Sequence, residues 1–273
     1  MQKLSVVVLS YNHPLHTARA VRSALQWNLP VLLVHNGSLS KHVELLKKEF
    51  QETSQFTHLV LPENKGYSGG VNEGLYAATS EWVIFLTNDC ELLSVPKLPL
   101  KPMAVIPQVF RRSLNQIDSI GGLFEPTSGK LVHCKTKEDF ENPDAKWSPY
   151  IPGSSFLVHR EVFEKTKGMD ESLGTYWDDV DWSLRIQKMN FPIQLQEQWH
   201  VLHYVGKTCQ KNPLYSIYYF QRNRKKISWK YTKPSEKPKL CFALAKDWTR
   251  LSLNLISKKR YSDLRLIKRA LFE

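Results

Sequence analysis

The first ninety residues alternate between short apolar runs and segments with helical spacing, and this alternation limits the possible folds more than any other feature. Runs rich in β-branched and apolar residues, typical of buried strands, occupy residues 4–10, 31–34, 58–61 and 82–86. Between the first two runs, Ala18, Val21 and Leu25 recur at the period of an amphipathic helix. Strands that alternate with helices pair in parallel through right-handed crossovers. The sequence therefore predicts an α/β fold with a mostly parallel sheet flanked by helices, and such sheets bind ligands at the carboxyl ends of their strands.

The organisation changes twice further along the chain. Residues 92–150 are rich in proline and predict short strands and loops, where a substrate-specific insertion would lie. Residues 221–273 contain 16 Lys and Arg against 4 Asp and Glu, whereas residues 1–220 contain 22 of each kind. We predict one main domain over residues 1–220, followed by a basic helical tail over residues 221–273.

The basic tail is also amphipathic. Its apolar residues form one helical stripe, made of Leu240, Leu244, Trp248, Leu251 and Leu255. Such a stripe either packs on its own domain or lies in a membrane interface, and the sequence leaves both possibilities open. The surplus of cations favours an anionic partner, such as membrane headgroups or nucleic acid.

Cysteine spacing and hydropathy indicate a cytoplasmic protein. The four cysteines lie far apart and show no disulfide or zinc-finger spacing. The apolar run at residues 4–9 is too short for a signal peptide, and no run approaches the roughly 18 apolar residues of a membrane span. We therefore expect any membrane contact to be peripheral.

A glycine-rich segment, residues 64–72 (NKGYSGGVN), joins a predicted strand to a helix that we expect to begin near Gly69. Glycines allow close approach of the backbone to a ligand, and a helix N-terminus favours an anion such as a diphosphate. An ordinary glycine-rich turn would look similar, so the segment alone leaves both interpretations open.

Another predicted strand is followed by Asn88 and by two acidic residues, Asp89 and Glu91. Carboxylates at this spacing can share a divalent cation whose preference for oxygen ligands also suits nucleotide phosphates. A solvated turn is the equal alternative, because Asn and Asp are common turn residues. His200 and His203 follow later in the chain as further candidate contacts to a metal or a phosphate, although a single His is more often structural.

A denser acidic cluster consists of Asp178, Asp179 and Asp181, between two tryptophans. One acid would suffice to cap a helix, and three within four residues repel one another. An Asp whose pKa is raised by burial and like charges can accept a proton from a hydroxyl. Asp181 lies four residues before Arg185, and we interpret these two residues as a structural ion pair. We interpret Asp178 as the cap of the helix or as a residue that positions the hydroxyl.

Several motifs, taken in order, resemble the family 2 glycosyltransferases. They lie at residues 5–12, 35–38, 64–72, 88–89, 153–155 and 178–181, and together extend over about residues 4–210. The likeness is greatest to bacterial rhamnosyltransferases and galactofuranosyltransferases of surface polysaccharides. The resemblance implies a GT-A fold, a nucleotide-diphosphate sugar donor, a Mg²⁺ or Mn²⁺ ion and inversion at the anomeric carbon.

The resemblance also implies roles for individual residues. Asp179 is similar to the family's catalytic base, with Asp178 beside it, and Asp89 and His203 are similar to metal ligands. The residues that would line the nucleotide pocket are Tyr11, Asn12, Asn36, Asn64, Lys65, Gly69, Asn72 and Asn88. His35 stands where the family usually has an Asp that contacts the nucleotide, and Thr87 stands where the first acid of the metal motif would be.

The resulting expectation is transfer of a rhamnose- or galactofuranose-like sugar from a UDP- or dTDP-sugar to a hydroxyl of a lipid-linked oligosaccharide, in the synthesis of lipopolysaccharide O-antigen or capsule. The anionic inner surface of the inner membrane is the expected partner of the tail. Two alternatives are a non-catalytic nucleic-acid-binding protein and a sugar nucleotidyltransferase. The first leaves the acidic cluster unexplained, because carboxylates repel phosphate, so we expect no nucleic acid partner. The second lacks the basic glycine-rich loop that would hold a triphosphate.

Overall fold

The apolar runs of the first ninety residues form four parallel strands, as predicted. The computed structural model describes residues 3–111, 116–204 and 213–272. Its first strands and helices are β1 (Leu4–Ser10), α1 (Pro14–Leu25), β2 (Val31–Asn36), α2 (Ser40–Phe50), β3 (Phe56–Leu61), α3 (Gly66–Ala77) and β4 (Trp82–Thr87). Strand β1 pairs in parallel with both β2 and β4, and β2 pairs in parallel with β3. Helix α3 begins at Gly66, three residues before the predicted Gly69.

The rest of the main domain extends this sheet and adds a smaller one. The further strands are β5 (Cys90–Leu92), β6 (Ala104–Arg111), β7 (Ile117–Ser119), β8 (Gly122–Glu125), β9 (Lys130–His133), β10 (Ser148–Tyr150), β11 (Ser155–His159) and β12 (Ile193–His203). The large sheet has nine strands in the order β3-β2-β1-β4-β11-β6-β12-β5, with β7 beside β6. Strands β5, β7 and β11 run against the other six, so the sheet is mostly parallel. The proline-rich region supplies the antiparallel sheet β10-β8-β9.

Helices cover both faces of the large sheet. Helices α4 (Lys137–Glu141), α5 (Arg160–Thr166) and α6 (Asp178–Lys188) follow in the main domain. Alternate residues of β1 enter different cores: Val7 packs in a cluster with Phe85 and Trp182, whereas Val8 packs in a cluster with Trp82. Burial on both faces explains why the strands read as continuous apolar runs.

The tail consists of α7 (Pro213–Tyr231), α8 (Lys237–Ser257) and α9 (Tyr261–Phe272). Helix α7 runs across the predicted boundary at residue 220, and its Ile227 packs with Trp177 and Val180 in a third apolar cluster. The division of the chain at residue 220 stays a prediction. None of the described helices combines the length and the apolar character needed to span a bilayer.

The apolar stripe of the tail packs inward. Leu240, Leu244 and Leu255 are buried, and Trp248 donates its indole N–H to Gln221 Oε1 at 2.9 Å. The opposite side of α8 exposes Phe242, Leu253 and Ile256, among other residues. The stripe that the sequence predicted therefore belongs to the protein core, whereas a second set of apolar side chains faces solvent.

Candidate active site

The predicted site residues that follow β1, β2 and β4 meet at one edge of the sheet. Parallel strands present their carboxyl ends on the same side. There, Asn88 Nδ2 donates to the carbonyl of Asn12 at 3.3 Å and to Thr17 Oγ1 at 3.2 Å. The Asn12 backbone N–H in turn donates to Ser38 Oγ at 3.0 Å. Asn12 and Asn88 therefore join the ends of the three strands, and Tyr11 beside them is 40% exposed.

Asp89 and His203 lie together at this edge, although 114 positions separate them in the sequence. Strand β12 pairs with β5 so that His203 lies opposite Cys90, and the Tyr204 N–H donates to the Asp89 carbonyl at 2.9 Å. His203 Nε2 lies 3.6 Å from Asp89 Oδ2, and Thr87 Oγ1 donates to Asp89 Oδ1 at 2.7 Å. Thr87, which replaces an acid of the family motif, thus orients the remaining carboxylate.

Asp118 completes this cluster, and the sequence did not indicate it. Its Oδ2 lies 3.2 Å from His203 Nδ1, so the ring stands between two carboxylates. Burial lowers the pKa of His203, but hydrogen bonds to Asp118 and Asp89 outweigh that effect and raise it to about 9. Burial raises the pKa of Asp89, yet the contacts with His203 and Thr87 bring it down to about 2.

These residues fit a divalent cation. The ligand atoms of Asp89, Cys90 and His203 lie within 4.8 Å of one another. A carboxylate suits Mn²⁺ or Mg²⁺, and imidazole is a ligand of transition metals. The Cys90 thiol contributes little, because burial raises its pKa well above the usual value and only a thiolate binds metal well. Asp118, on the other ring nitrogen of His203, matches the outer carboxylate that orients histidine ligands in metal sites.

The acid pair, Asp178 and Asp179, lies in the first turn of α6. Residues 153–154 stand between this pair and the Asp89–His203 cluster. Asp178 is buried and accepts a hydrogen bond from Ser68 Oγ at 2.7 Å. Asp179 is partly exposed, and its Oδ2 accepts the Gly153 N–H at 3.0 Å. The next carbonyl, of Ser154, accepts the Thr87 N–H at 3.0 Å. Residues 153–154 therefore link the acid pair to the Asp89–His203 cluster.

The pKa values of both acids in this pair are raised. Burial is the largest cause for Asp178 and for Asp179, and at Asp179 the charge of Asp178 adds to it. Trp177, in a left-handed conformation (φ 70°), precedes the helix, so Asp178 lies in the first turn instead of capping it. Asp179 is the more accessible of the two and has the properties that a general base requires.

Asp181 has the opposite environment. Its fully buried carboxylate accepts hydrogen bonds from Arg185 Nε at 2.8 Å, Lys230 Nζ at 2.6 Å and the Tyr231 hydroxyl at 2.9 Å. Burial raises its pKa, but these partners outweigh burial and the net pKa is lowered. The predicted ion pair with Arg185 is confirmed, and α7 supplies two partners that the sequence did not indicate.

Helix α7 also supports the loop before the acid pair. Tyr176 and Trp177 both have positive φ, at 62° and 70°, a conformation that costs about 1–3 kcal/mol for residues other than glycine. The fully buried Asn223 donates from its side-chain amide to the carbonyls of Leu173, Thr175 and Tyr176, each at 2.9 Å. An Asn within a basic helix carries no sequence signal for this role, which depends on a contact between distant segments.

Among the predicted nucleotide contacts, three shape the glycine-rich loop. Asn36 Nδ2 donates to the Gly66 carbonyl at 2.7 Å and to Asn64 Oδ1 at 3.2 Å, and its Oδ1 accepts the Lys65 N–H at 2.9 Å. Gly66 has a φ of 74°, and a Cβ there would lie 2.7 Å from the Gly174 carbonyl oxygen. Lys65 Nζ forms an ion pair with Glu73. Gly69 follows in the first turn of α3.

Asn72 and His35 point elsewhere. The Asn72 amide donates to the Met169 carbonyl and Glu171 Oε1, both at 2.9 Å, and accepts the Met169 N–H at 2.8 Å. Its hydrogen bonds therefore support the loop at residues 169–171. His35 is 1% exposed, and within the described ranges neither ring nitrogen has a hydrogen-bond partner. Burial lowers the pKa of His35 to about 4, so the ring is neutral at physiological pH.

Three solved structures share this arrangement of strands and helices. GalNAc-T7, solved with UDP, GalNAc and Mn²⁺, matches 87% of this chain and 49% of its own at 14% identity and a TM-score of 0.66. The mannosyltransferase PcManGT from Pyrobaculum calidifontis, in complex with GDP-Man and Mn²⁺, matches 98% and 74% at 14% identity and a TM-score of 0.58. S. aureus TarS 1-349 matches 98% and 90% at 12% identity and a TM-score of 0.54. At these identities the likeness shows the fold alone, and that fold is GT-A, as predicted.

Sequence comparison matches part of the chain to one family. Residues 5–98 match the family model described as Glycosyl transferase family 2. An uncharacterized glycosyltransferase of Nostoc sp. is 28% identical over 190 residues, which cover 65% of this chain and 57% of that protein. The chain thus spans somewhat more than half the length of this relative. Together with the fold, these findings support the resemblance to family 2 glycosyltransferases but do not bear on the rhamnosyltransferase or galactofuranosyltransferase type. They do not favour the two alternatives.

Proposed function

We propose that the protein is a metal-dependent, inverting glycosyltransferase that moves a rhamnose- or galactofuranose-like sugar from a UDP- or dTDP-sugar to a hydroxyl of a lipid-linked oligosaccharide. The observation that carries this proposal is the link at residues 153–154. Gly153 contacts Asp179 and Ser154 contacts Thr87, so a candidate base and a candidate cation site stand on two sides of one segment. An inverting transfer needs this separation, because the base and the departing diphosphate act on opposite faces of the sugar.

Asp179 is the proposed base. As the acceptor oxygen forms its bond to the anomeric carbon, the bond from that carbon to the diphosphate oxygen breaks. The hydroxyl proton passes to Asp179, and the electron pair of the broken bond leaves with the diphosphate. Burial and Asp178 raise the pKa of Asp179, which makes it a stronger proton acceptor than an exposed Asp. Asp178, held by Ser68, would position the acceptor.

Asp89 and Nε2 of His203 would hold Mg²⁺ or Mn²⁺, with Asp118 orienting the ring. When bound, the cation would neutralise charge on the leaving diphosphate. The first N–H groups of α3 are occupied, because Tyr67 and Ser68 both donate to the Gly174 carbonyl, at 2.7 Å and 3.2 Å. The exposed ring of Tyr11 is available to a nucleotide base. UDP is present in the GalNAc-T7 structure, which supports a nucleotide donor here.

The tail supports a membrane-bound acceptor. The outer side of α8 places exposed Phe242, Leu253 and Ile256 among cations that include Lys246 and Arg250. Apolar side chains flanked by cations suit the surface of an anionic membrane. We therefore assign peripheral association with the cytoplasmic face of the inner membrane to this side of α8 instead of the buried stripe, in the context of lipopolysaccharide or capsule synthesis.

The test is a transfer assay with UDP- and dTDP-sugars, Mn²⁺ or Mg²⁺ and a lipid-linked acceptor. We expect Asp179→Asn to lower kcat about 10²- to 10⁴-fold, the usual contribution of a general base, and to leave UDP binding intact. Asp144→Asn is the matched control, because Asp144 is exposed and lies outside the site. Transfer by Asp179→Asn at the wild-type rate would show that another group accepts the proton.

A further inference from the structure

A groove lined by cations lies on α7, outside the candidate active site. Arg222, Lys225 and Lys226 are spaced i, i+3 and i+4, and Trp229 follows at i+7, so the four side chains share one face of the helix. With Ser172, they line a groove of about 530 Å³. That volume lies within the range of small-molecule sites.

Within the ranges that the structure describes, the positive charge in this groove has no acidic partner. Arg222 Nη2 donates to the carbonyls of Ser172 at 2.8 Å and Leu173 at 3.1 Å. Lys226 Nζ donates to Ser172 Oγ at 2.8 Å, and Lys225 Nζ donates to the Leu271 carbonyl at 2.6 Å. Among the described residues, no carboxylate lies within 4.0 Å of the charged groups of these three side chains. The acceptors are neutral oxygens, and the Arg222 guanidinium also lies 4.8 Å from the Tyr219 ring centroid, so no carboxylate neutralises these charges in the described part of the chain.

Other cations of the same helix are compensated. Arg224 Nη2 lies 2.6 Å from Asp247 Oδ2, and Lys230 Nζ lies 2.6 Å from Asp181 Oδ1. These two cations of α7 therefore have carboxylate partners, whereas the three in the groove contact neutral acceptors among the described residues. An aromatic ring borders the unpaired charges: Trp229 is 47% exposed, with Lys237 Nζ 4.2 Å from its ring centroid.

From these observations we propose that the groove is a binding site for a phosphate or diphosphate ester. Arg222 uses Nε for Asn223 Oδ1 and Nη2 for the Ser172 and Leu173 carbonyls, which leaves Nη1 as its donor to a phosphate oxygen. The two ammonium groups add mobile donors and charge. The exposed face of Trp229 packs against the organic part of the ester. The site shares no residue with the acid pair or with the Asp89–His203 cluster, so it does not depend on the proposed sugar transfer.

The primary test uses inorganic pyrophosphate as the probe, with EDTA present to keep divalent cations from the Asp89–His203 cluster. Titration calorimetry compares the wild-type protein with Lys225→Gln/Lys226→Gln. We expect the double variant to bind pyrophosphate at least about tenfold more weakly, as the loss of two charge-assisted contacts implies. The matched control is Lys246→Gln/Arg250→Gln, which removes two charges from the exposed side of α8 and should change the affinity less than about twofold.

A charge-preserving variant separates binding from folding. Lys225→Arg/Lys226→Arg keeps both cations and should bind pyrophosphate within about threefold of wild type, while the free energy of unfolding from urea titration reports whether each variant is intact. Equal weakening by the groove variant and by the α8 control would overturn the proposal, since general charge would then explain binding. Absence of pyrophosphate binding to the wild-type protein would overturn it as well.

Vesicles identify the source of the phosphate. Sedimentation with phosphatidylglycerol vesicles, and with phosphatidylcholine vesicles as the neutral reference, reports binding to a lipid headgroup. Release from phosphatidylglycerol vesicles by pyrophosphate, lost in Lys225→Gln/Lys226→Gln, supports the groove as a site for a lipid phosphate. Pyrophosphate binding that phosphatidylglycerol does not affect supports the groove as a site for a soluble phosphate ester.

Discussion

Two groups of acids lie on either side of residues 153–154, and their electrostatics are opposite. In the first, His203 stands between Asp89 and Asp118, and the pKa values of both carboxyl groups are lowered. In the second, Asp178 and Asp179 are adjacent, and burial raises the pKa of both. The difference lies in the partners: one group has a cation between its acids and the other has only hydrogen-bond donors. The first suits a metal ion and the second suits proton transfer.

Asp181 differs from its neighbours Asp178 and Asp179 because it has cationic partners, which outweigh burial and lower its pKa. Its substitution has the largest expected effect on stability. Asp181→Asn leaves Arg185 and Lys230 without a charged partner. Breaking a buried pair from one side costs about 3–5 kcal/mol, and we expect about 3 kcal/mol because Lys230 remains partly exposed. The free energy of unfolding from urea titration measures this loss.

Asp179→Asn, two residues away, is the matched control for that loss. The fold disfavours the charged form of Asp179, so a neutral amide should leave the free energy of unfolding unchanged or slightly increased at pH 8. If the two substitutions lowered stability equally, the contrast between paired and unpaired acids in the first turn of α6 would be wrong.

The second largest expected effect is on metal affinity at the Asp89–His203 cluster. Asp89→Asn removes a proposed ligand, and we expect Mn²⁺ affinity to fall by more than about 100-fold, because even the loss of an outer partner commonly costs about 10- to 100-fold. Calorimetric titration with Mn²⁺ at pH 7.5 measures it, with Asp144→Asn as the control. Mn²⁺ binding of wild-type strength by Asp89→Asn would remove this cluster from the proposal.

The smallest expected effect is a shift in the pH dependence of transfer. Asp179 must be a carboxylate to accept a proton, so its raised pKa moves the acid limb of the rate profile up from the ordinary Asp value of about 3.9. Asp178→Asn removes the neighbouring negative charge, lowers the pKa of Asp179 and should move the limb down by about one pH unit. Burial keeps the limb above the ordinary value. A limb that stayed in place, or moved to higher pH, would show that Asp178 does not act on the base electrostatically.

The sequence predicted the features that depend on local pattern. The alternation in the first ninety residues predicted the parallel strands, because a strand buried on both faces must be apolar throughout. The four-residue spacing of Asp181 and Arg185 predicted their ion pair. Asp89 and His203 could be connected only through the family resemblance, since the strand pairing that joins them has no local signal.

Features that depend on distant contacts were not predictable. Asp118 lies on a three-residue strand, too short to show a period. Periodicity predicted the stripe of α8, but a periodic pattern indicates that a face is covered and not what covers it. His35 looked like a simple replacement in a motif, and only its burial shows that the ring has no partner among the described residues.

Asn223 has a consequence for how this protein can diverge. Its amide belongs to the tail by sequence, yet it holds the carbonyls just ahead of the acid pair. Substitutions on the outer side of α8 leave these three contacts unchanged. A change at Asn223 reaches the acid pair directly, so a tail exchanged between relatives would have to retain this amide.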